Sequence, residues 1–197
     1  LILGKHSPRE IFEILRHLAF IDNYIDYYEL KILKDLADRW RLDITEEQIL
    51  TPPNVSSNGA YIKLQEMVTT LLVSQPSSEL IAEMLDLFEQ IISADRVITP
   101  EEELISAELR FMMQDYLYTG TPKEKFNVLV VPQHPTHKEA ILKINPEAEE
   151  VEVAGGRAYI FGTYYSKSFA DMMCETYRNM NFFTIIHNEN NIKENSQ

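Results

Sequence analysis

Among 197 residues the chain has one cysteine, one tryptophan, six glycines and only 18 basic side chains against 31 acidic ones. Each scarcity excludes something. A lone Cys174 excludes an internal disulfide and suits a reducing compartment, so a cytoplasmic location is expected. No apolar run approaches the ~20 residues that span a bilayer, so no transmembrane segment is expected. No basic-then-apolar leader opens the chain. It begins Leu1-Ile2-Leu3-Gly4 without Met, which points to a fragment or processed form and leaves an upstream domain or a homo-oligomer open. No phosphate-binding loop or dinucleotide fingerprint is present.

The shortage of cations is uneven. Residues 1–119 hold 21 acidic and 10 basic side chains, and residues 120–197 hold 10 and 8. Nucleic acid is excluded as a partner of the first half, because phosphates would be repelled. A cation, a basic protein surface or plain solubility remains. The asymmetry also places a domain boundary near residue 120.

Apolar residues make up 45% of the chain, enough for ordinary cores. Ser7-Pro8-Arg9-Glu10 is a capping box with Pro at the first helical position, and Ile11, Ile14, Leu15, Leu18 and Ile21 follow at helical spacing. Asp26-x-x-Glu29 opens a second helix with Ile32, Leu33, Leu36, Ala37 and Trp40 on one stripe. Thr45-x-x-Gln48 caps a short third. Thr51 to Gly59 is a loop, residues 60–74 a fourth helix, and Gln75-Pro76-Ser77-Ser78 a break. A fifth helix, with Leu80, Ile81, Met84, Leu85, Phe88 and Ile91/Ile92 inward, reaches about Ala94. Thr99-Pro100-Glu101-Glu102 starts a sixth, ending near Tyr118. Six helices with short connections make a bundle over residues 1–118.

Residues 119–125 form a linker, after which the period changes. Phe126–Val131, Val151–Val153, Ala158–Thr163 and Phe182–Ile186 have strand character. Residues 136–144 and 167–180 are helical, and Gly155-Gly156 is a hairpin turn. The order β-α-β-β-α-β over residues 126–187 is that of a small ferredoxin-like α/β domain. It looks duplicated: Val128–Val131 followed by Thr136 and Ala140 matches Ala158–Phe161 followed by Ser166 and Ala170. Residues 188–197 are polar and Asn-rich, a disordered tail. Tyr159, Phe161, Tyr164 and Tyr165 could line a sheet face for stacking, although alternation puts Tyr159 and Phe161 together and suggests core for part of the set.

The chemically suggestive feature is a repeated corner. Asp22, Ile25, Asp26 and Glu29 recur at identical spacing as Asp95, Ile98, Thr99 and Glu102. Each corner ends one helix with an Asp, tucks in an aliphatic residue, and starts the next helix with a cap and a Glu. Glu29 and Glu102 suit capping boxes. Asp22 and Asp95 stand where the helix dipole disfavours an anion, so each needs a partner. Local hydrogen bonds across the turn are one answer. The other is a hard divalent cation, Ca²⁺ or Mg²⁺, held by Asp22, Asp26, Glu29, Asp95 and Glu102. Zinc is excluded because no Cys or His pattern accompanies the acids.

The stretch Ile92-Ser93-Ala94-Asp95-Arg96-Val97-Ile98-Thr99-Pro100-Glu101-Glu102, and more loosely Asp22 to Glu29, resembles the repeated hallmark of the tellurite-resistance TerB-like domains over about residues 8–118. That resemblance implies a helical bundle serving as a metal-associated or protein-interaction module in bacterial stress-response systems, and no enzymatic activity. The family often has Gly after the Asp, where this chain has Asn23 and Arg96. The Arg96 charge could itself neutralise Asp95, so the first corner is the better cation candidate. Tyr159-Ile160-Phe161-Gly162 before the second helix of residues 126–187 resembles SPOR-type domains, which bind glycan strands of the bacterial cell wall. The first half lacks the family's glycine and has Pro132 there.

His134 and His137 in a Pro-containing loop, Cys174 inside an amphipathic helix, and His17 beside core positions are expected to be structural. The function expected is a non-catalytic regulatory or interaction module with protein partners. Alternatives are a glycan- or ligand-binding protein acting through the α/β domain, and a hydrolase in which Asp22 and Glu29, or their duplicates Asp95 and Glu102, face each other across a cleft at ~5–10 Å.

Overall fold

The computed structural model describes residues 6–22, 24–53, 57–94, 100–118, 125–153 and 156–188. The chain divides into two units, Leu1–Gly120 and Thr121–Gln197. The first is helical and the second is α/β.

Helix starts in the first unit follow their caps. In α1 (Pro8–Ala19) the Ser7 hydroxyl accepts from the Glu10 N–H at 3.1 Å, and Pro occupies the first turn. Helices α2 (Tyr27–Arg39) and α3 (Glu46–Leu50) both begin with complete capping boxes, Asp26 with Glu29 and Thr45 with Gln48. Each box satisfies two N–H groups that the helix start leaves open. Helix α4 (Ser57–Val73) begins earlier than the expected residue 60 and takes Gly59 into its first turn. Helix α5 (Ser78–Ile92) is capped by the Ser77 hydroxyl on the Leu80 N–H at 3.2 Å. Helix α6 (Pro100–Tyr118) is tied to the start of α5, since the Tyr116 hydroxyl donates to the Pro76 carbonyl at 2.7 Å.

Helix α1 packs on α2, α4 and α5, and α6 packs on α4 and α5. The expected stripe of α1 is buried throughout, with Phe12 added. On α2, Leu33, Leu36 and Ala37 are buried, while Ile32 and Trp40 are only half-buried. Helix α5 is more enclosed than its stripe implied: Ala82, Asp86 and Leu87 are buried as well as Leu80, Ile81, Met84, Leu85, Phe88 and Ile91. A helix covered on nearly all sides is the centre of its bundle.

In the second unit the elements run β1 (Phe126–Val131), α7 (Pro135–Ile144), β2 (Glu150–Val153), β3 (Gly156–Tyr164), α8 (Lys167–Asn179) and β4 (Phe183–Asn188). The sheet is antiparallel in the order β2-β3-β1-β4, the arrangement of a split βαβ unit. Strand β4 extends through Asn188, paired with Phe126, one residue into the stretch expected as a tail. Helix α7 starts at Pro135 with His134 as an N-cap that makes no side-chain bond, so Thr136 does not play the part that Ser166 plays for α8. The proposed duplication is unequal at that point. Val128, Ala170 and Cys174 form one buried cluster, and Val130, Ile141, Tyr159 and Phe161 another.

The register of β1 on β3 shifts between Val128 and Leu129: Val128 faces Gly162, whereas Leu129 faces Ile160. Phe161 is the extra residue of a β-bulge. Strict alternation would send Tyr164 to the opposite face from Tyr159 and Phe161. The bulge cancels that step, and Tyr164 joins the helix-covered side against Phe169, ring centroids 5.3 Å apart. Gly162 makes room for this, because a Cβ there would lie 2.3 Å from the Tyr164 hydroxyl oxygen.

Candidate functional site

The first helical corner lies between α1 and α2. Helix α1 stops at Phe20, whose N–H still reaches the Arg16 carbonyl at 3.2 Å, and Ile21 and Ile25 are buried on either side of the turn. Between them Asp22 is exposed, and its Oδ1 accepts from the Tyr24 N–H at 2.9 Å. This is the local bond that Asp makes across a turn two residues on. Asp26 Oδ1 accepts from the Glu29 N–H at 2.7 Å, and Glu29 Oε2 accepts from the Asp26 N–H at 2.9 Å. Glu29 stands one turn before Leu33 on the inward stripe, so its carboxylate is buried while it serves the cap.

Three of the acids are thereby accounted for by hydrogen bonds within the corner. At this corner the hydrolase arrangement required Glu29 to stand open toward Asp22, whereas Glu29 is buried and bonded to the Asp26 backbone. Asp95 lies outside the described residues, and Glu102 is in α6 with its side chain outside them. Among the described residues, no three or more His, Cys, Asp or Glu side chains group so as to hold a metal ion.

What sequence reasoning missed at this corner is aromatic. Tyr24, Tyr27 and Tyr28 are each more than half exposed. The rings of Tyr27 and Tyr28 meet edge to face, centroids 5.5 Å apart at 78°. The signal was present: with Leu33, Leu36 and Ala37 fixing the inward stripe of α2, Tyr27 and Tyr28 fall off it. Amphipathic rings beside the carboxylates of Asp22 and Asp26 offer ring faces and anionic oxygens together, a surface suited to Arg or Lys side chains.

Elsewhere in the helical unit several of its few bases are paired with acids. Arg16 meets Glu13 at 3.0 Å, Lys63 meets Glu66 at 3.7 Å, and Arg110 meets Glu89 at 2.6 Å. The His17 Nδ1 is 2.8 Å from the Glu13 carbonyl to which it donates, a structural role as expected. Glu83 on α5 has its carboxyl pKa raised, chiefly by burial, with Arg39 opposing.

The α/β unit uses the same residue types differently. Tyr159 and Phe161 are buried under the helices with Tyr177 and Phe182, and Tyr164 is half-buried beside them. Tyr159, Phe161 and Tyr164 do not form an exposed stacking face, and Tyr165 is half-buried with the Lys125 ammonium 4.9 Å from its ring centroid. On β2, Glu150 accepts from the Tyr159 hydroxyl, meets Arg157 at 2.8 Å and Lys138 at 3.2 Å. The Tyr159 hydrogen bond and then Lys138 hold its carboxyl below the usual range. Cys174 is buried and burial pushes its thiol up, which suits a core residue and not a nucleophile. The rings of His134 and His137 lie 5.3 Å apart, edge to face. His137 Nδ1 also accepts from the Gln133 N–H at 3.4 Å, and the pair sits at the start of α7 and not in a loop.

Among the described residues no helix is long and apolar enough to cross a membrane. Compared with protein-family models, curated proteins and solved structures, the chain matches none.

Proposed function

We propose that the helical unit is a non-catalytic protein-docking module whose contact surface is the first corner. The observation that supports this most is the outward display of Tyr24, Tyr27 and Tyr28 beside Asp22 and Asp26. Tyrosine supplies contact area at low entropic cost and is enriched where binding energy concentrates. These three rings contribute little to their own core, since they stay mostly in water. The acidic excess of residues 1–119 selects a basic partner and speeds its approach. The TerB-like resemblance of residues 8–118 supports a setting in a bacterial stress-response or signalling system. The SPOR-like resemblance gives the α/β unit a ligand-binding alternative, but Tyr159 and Phe161, two of the four aromatic residues that would serve it, are buried in the core of the unit.

A photo-crosslinking residue placed at Tyr27 in cells tests the docking reading. It should trap a discrete protein adduct that disappears when Tyr24→Ser and Tyr28→Ser are added. The same probe at Lys138 of the α/β unit should not give that adduct. Identical adducts from both positions, or none at Tyr27, would refute the proposal.

A Ca²⁺ or Mg²⁺ ion at the corner is the second reading, favoured by Asp22 alone. Its exposed carboxylate follows the end of α1, where the helix dipole opposes an anion, and it has lone pairs beyond the one given to Tyr24. Calorimetric titration of the metal-free protein tests it. Heat that Asp22→Asn abolishes supports the ion, and no heat with either ion rejects it.

A further inference from the structure

Helix α6 carries two apolar rows. The inner one, Leu109, Met113 and Leu117, is buried, with Ser106 beside it. On the outside, Leu104, Phe111 and Tyr118 are 72%, 69% and 39% exposed. They recur every seven residues. Seven residues make nearly two turns, so the three side chains form one row about 21 Å long. Ala107 and Gln114 fall three residues after Leu104 and Phe111, completing the first-and-fourth spacing of a helix–helix seam. Leu104 and Phe111 are mostly in water, so the outer row adds little to the core of its own unit, and rows of this kind mark contact surfaces.

The charges beside the row identify what covers it. Glu103 and Asp115 are exposed. Arg110 is engaged by Glu89, and Glu108 accepts from the Tyr61 hydroxyl and from the Gln65 amide at 2.9 Å. Over its whole length α6 has five acids and one base. A second copy of the chain would bring acid against acid, so self-association along this row is opposed. We infer that the outer row of α6 seats an amphipathic helix of a basic protein, with apolar side chains at heptad spacing and Lys or Arg on its flanks. This is helix-on-helix recognition with the flanking charges choosing the partner. It uses a different element from the tyrosine corner and stands or falls separately from it.

The test uses the full chain and a labelled synthetic 21-residue helical peptide with Leu at heptad positions and Lys on the flanks. Fluorescence anisotropy should show saturable binding that a Glu-flanked peptide and a scrambled peptide of the same composition do not share. Phe111→Asp, at an exposed site where the fold tolerates it, should weaken binding about 10-fold or more. Glu103→Lys with Asp115→Lys should weaken it as well, and Val73→Ser, at an exposed apolar site on α4, should leave it unchanged. Thermal melts confirm that each variant is folded. Equal binding of the scrambled peptide, or of the Phe111→Asp protein, would overturn the inference. So would sedimentation showing a wild-type dimer that Phe111→Asp converts to monomer, because a second copy would then occupy the row.

Discussion

Tyrosine and glutamate serve opposite ends in the two units. In the α/β unit, Tyr159 and Tyr164 turn toward the helices and Glu150 is clasped by Lys138, Arg157 and the Tyr159 hydroxyl. In the helical unit, Tyr24, Tyr27 and Tyr28 face water, and the acids outnumber the bases about two to one. A strand beneath helices can bury every second side chain, and a bulge can recruit one more. A helix start offers no such shelter to residues off its inward stripe. The α/β unit therefore commits Tyr159, Phe161 and Tyr164 to its own fold, whereas the helical unit leaves Tyr24, Tyr27 and Tyr28 available to something else. That contrast is the physical basis for assigning the docking role to the helical unit.

The largest expected effect is on the buried side of the contrast. Phe161→Ala should cost about 3–5 kcal/mol of unfolding free energy by urea melts, through lost burial and a cavity beneath the helices. A loss under 1 kcal/mol would mean that the aromatics of β3 are not core. Next comes the bulge. Gly162→Ala should cost about 1–2 kcal/mol, because its Cβ displaces the Tyr164 ring. In a double-mutant cycle with Tyr164→Ala the two losses should be less than additive, and strict additivity would contradict the contact. At the corner, Asp26→Ala should cost about 1 kcal/mol as a lost N-cap. Asp22→Ala, by contrast, removes only a turn bond and should cost less.

Smaller effects sharpen the contrast through pH. Burial raises the pKa of Glu83 in the folded protein, so its ionisation opposes folding and stability falls as pH rises through that range. Glu83→Gln should therefore raise the melting temperature at pH 7, with the gain fading below about pH 4. Glu150 has the opposite sign. Its lowered pKa adds stability above the unfolded value, and that contribution is lost as pH falls through the folded one. Glu150→Gln should lower the melting temperature at pH 7, again with the difference fading in acid. Two shifts in the same direction at pH 7 would contradict this division of the acids.

Much of the fold was legible because local chemistry marked it. Ser7, Asp26 and Thr45 each announce a helix start that the structure places within a residue or two, and Ser77, read only as part of a break, caps α5. The start of α4 was hidden because Gly59 argues against helix, a preference that packing of Ala60, Leu64, Val68 and Leu71 overrides. The bulge at Phe161 was illegible, since register is a property of two strands and not of one. Strand β4 ran on through His187 and Asn188 for the same reason: Asn127 and Phe126 of β1 pair with them. Of the candidate site, the capping role of Asp26 and Glu29 was readable from spacing, and the exposure of Tyr27 and Tyr28 was readable from their place off the inward stripe of α2, whereas that of Tyr24, in the turn before the helix, had no periodicity to mark it. On α6 the sequence reading assigned no inward stripe, so the seven-residue repeat of Leu104, Phe111 and Tyr118 stood out only once Leu109, Met113 and Leu117 were seen to be the buried side.

The central claim is that the corner tyrosines serve a partner and not the fold. It is tested most directly by the triple variant Tyr24→Ser, Tyr27→Ser, Tyr28→Ser, with unfolding and partner capture measured on the same protein; capture is read by a photo-crosslinking residue placed at Lys31, at the edge of the corner. The account predicts unfolding free energy within about 0.5–1 kcal/mol of wild type, as for exposed side chains, together with loss of the crosslinked adduct seen from Lys31 in the otherwise wild-type chain. A loss of several kcal/mol, or an adduct that persists in the folded variant, would contradict it.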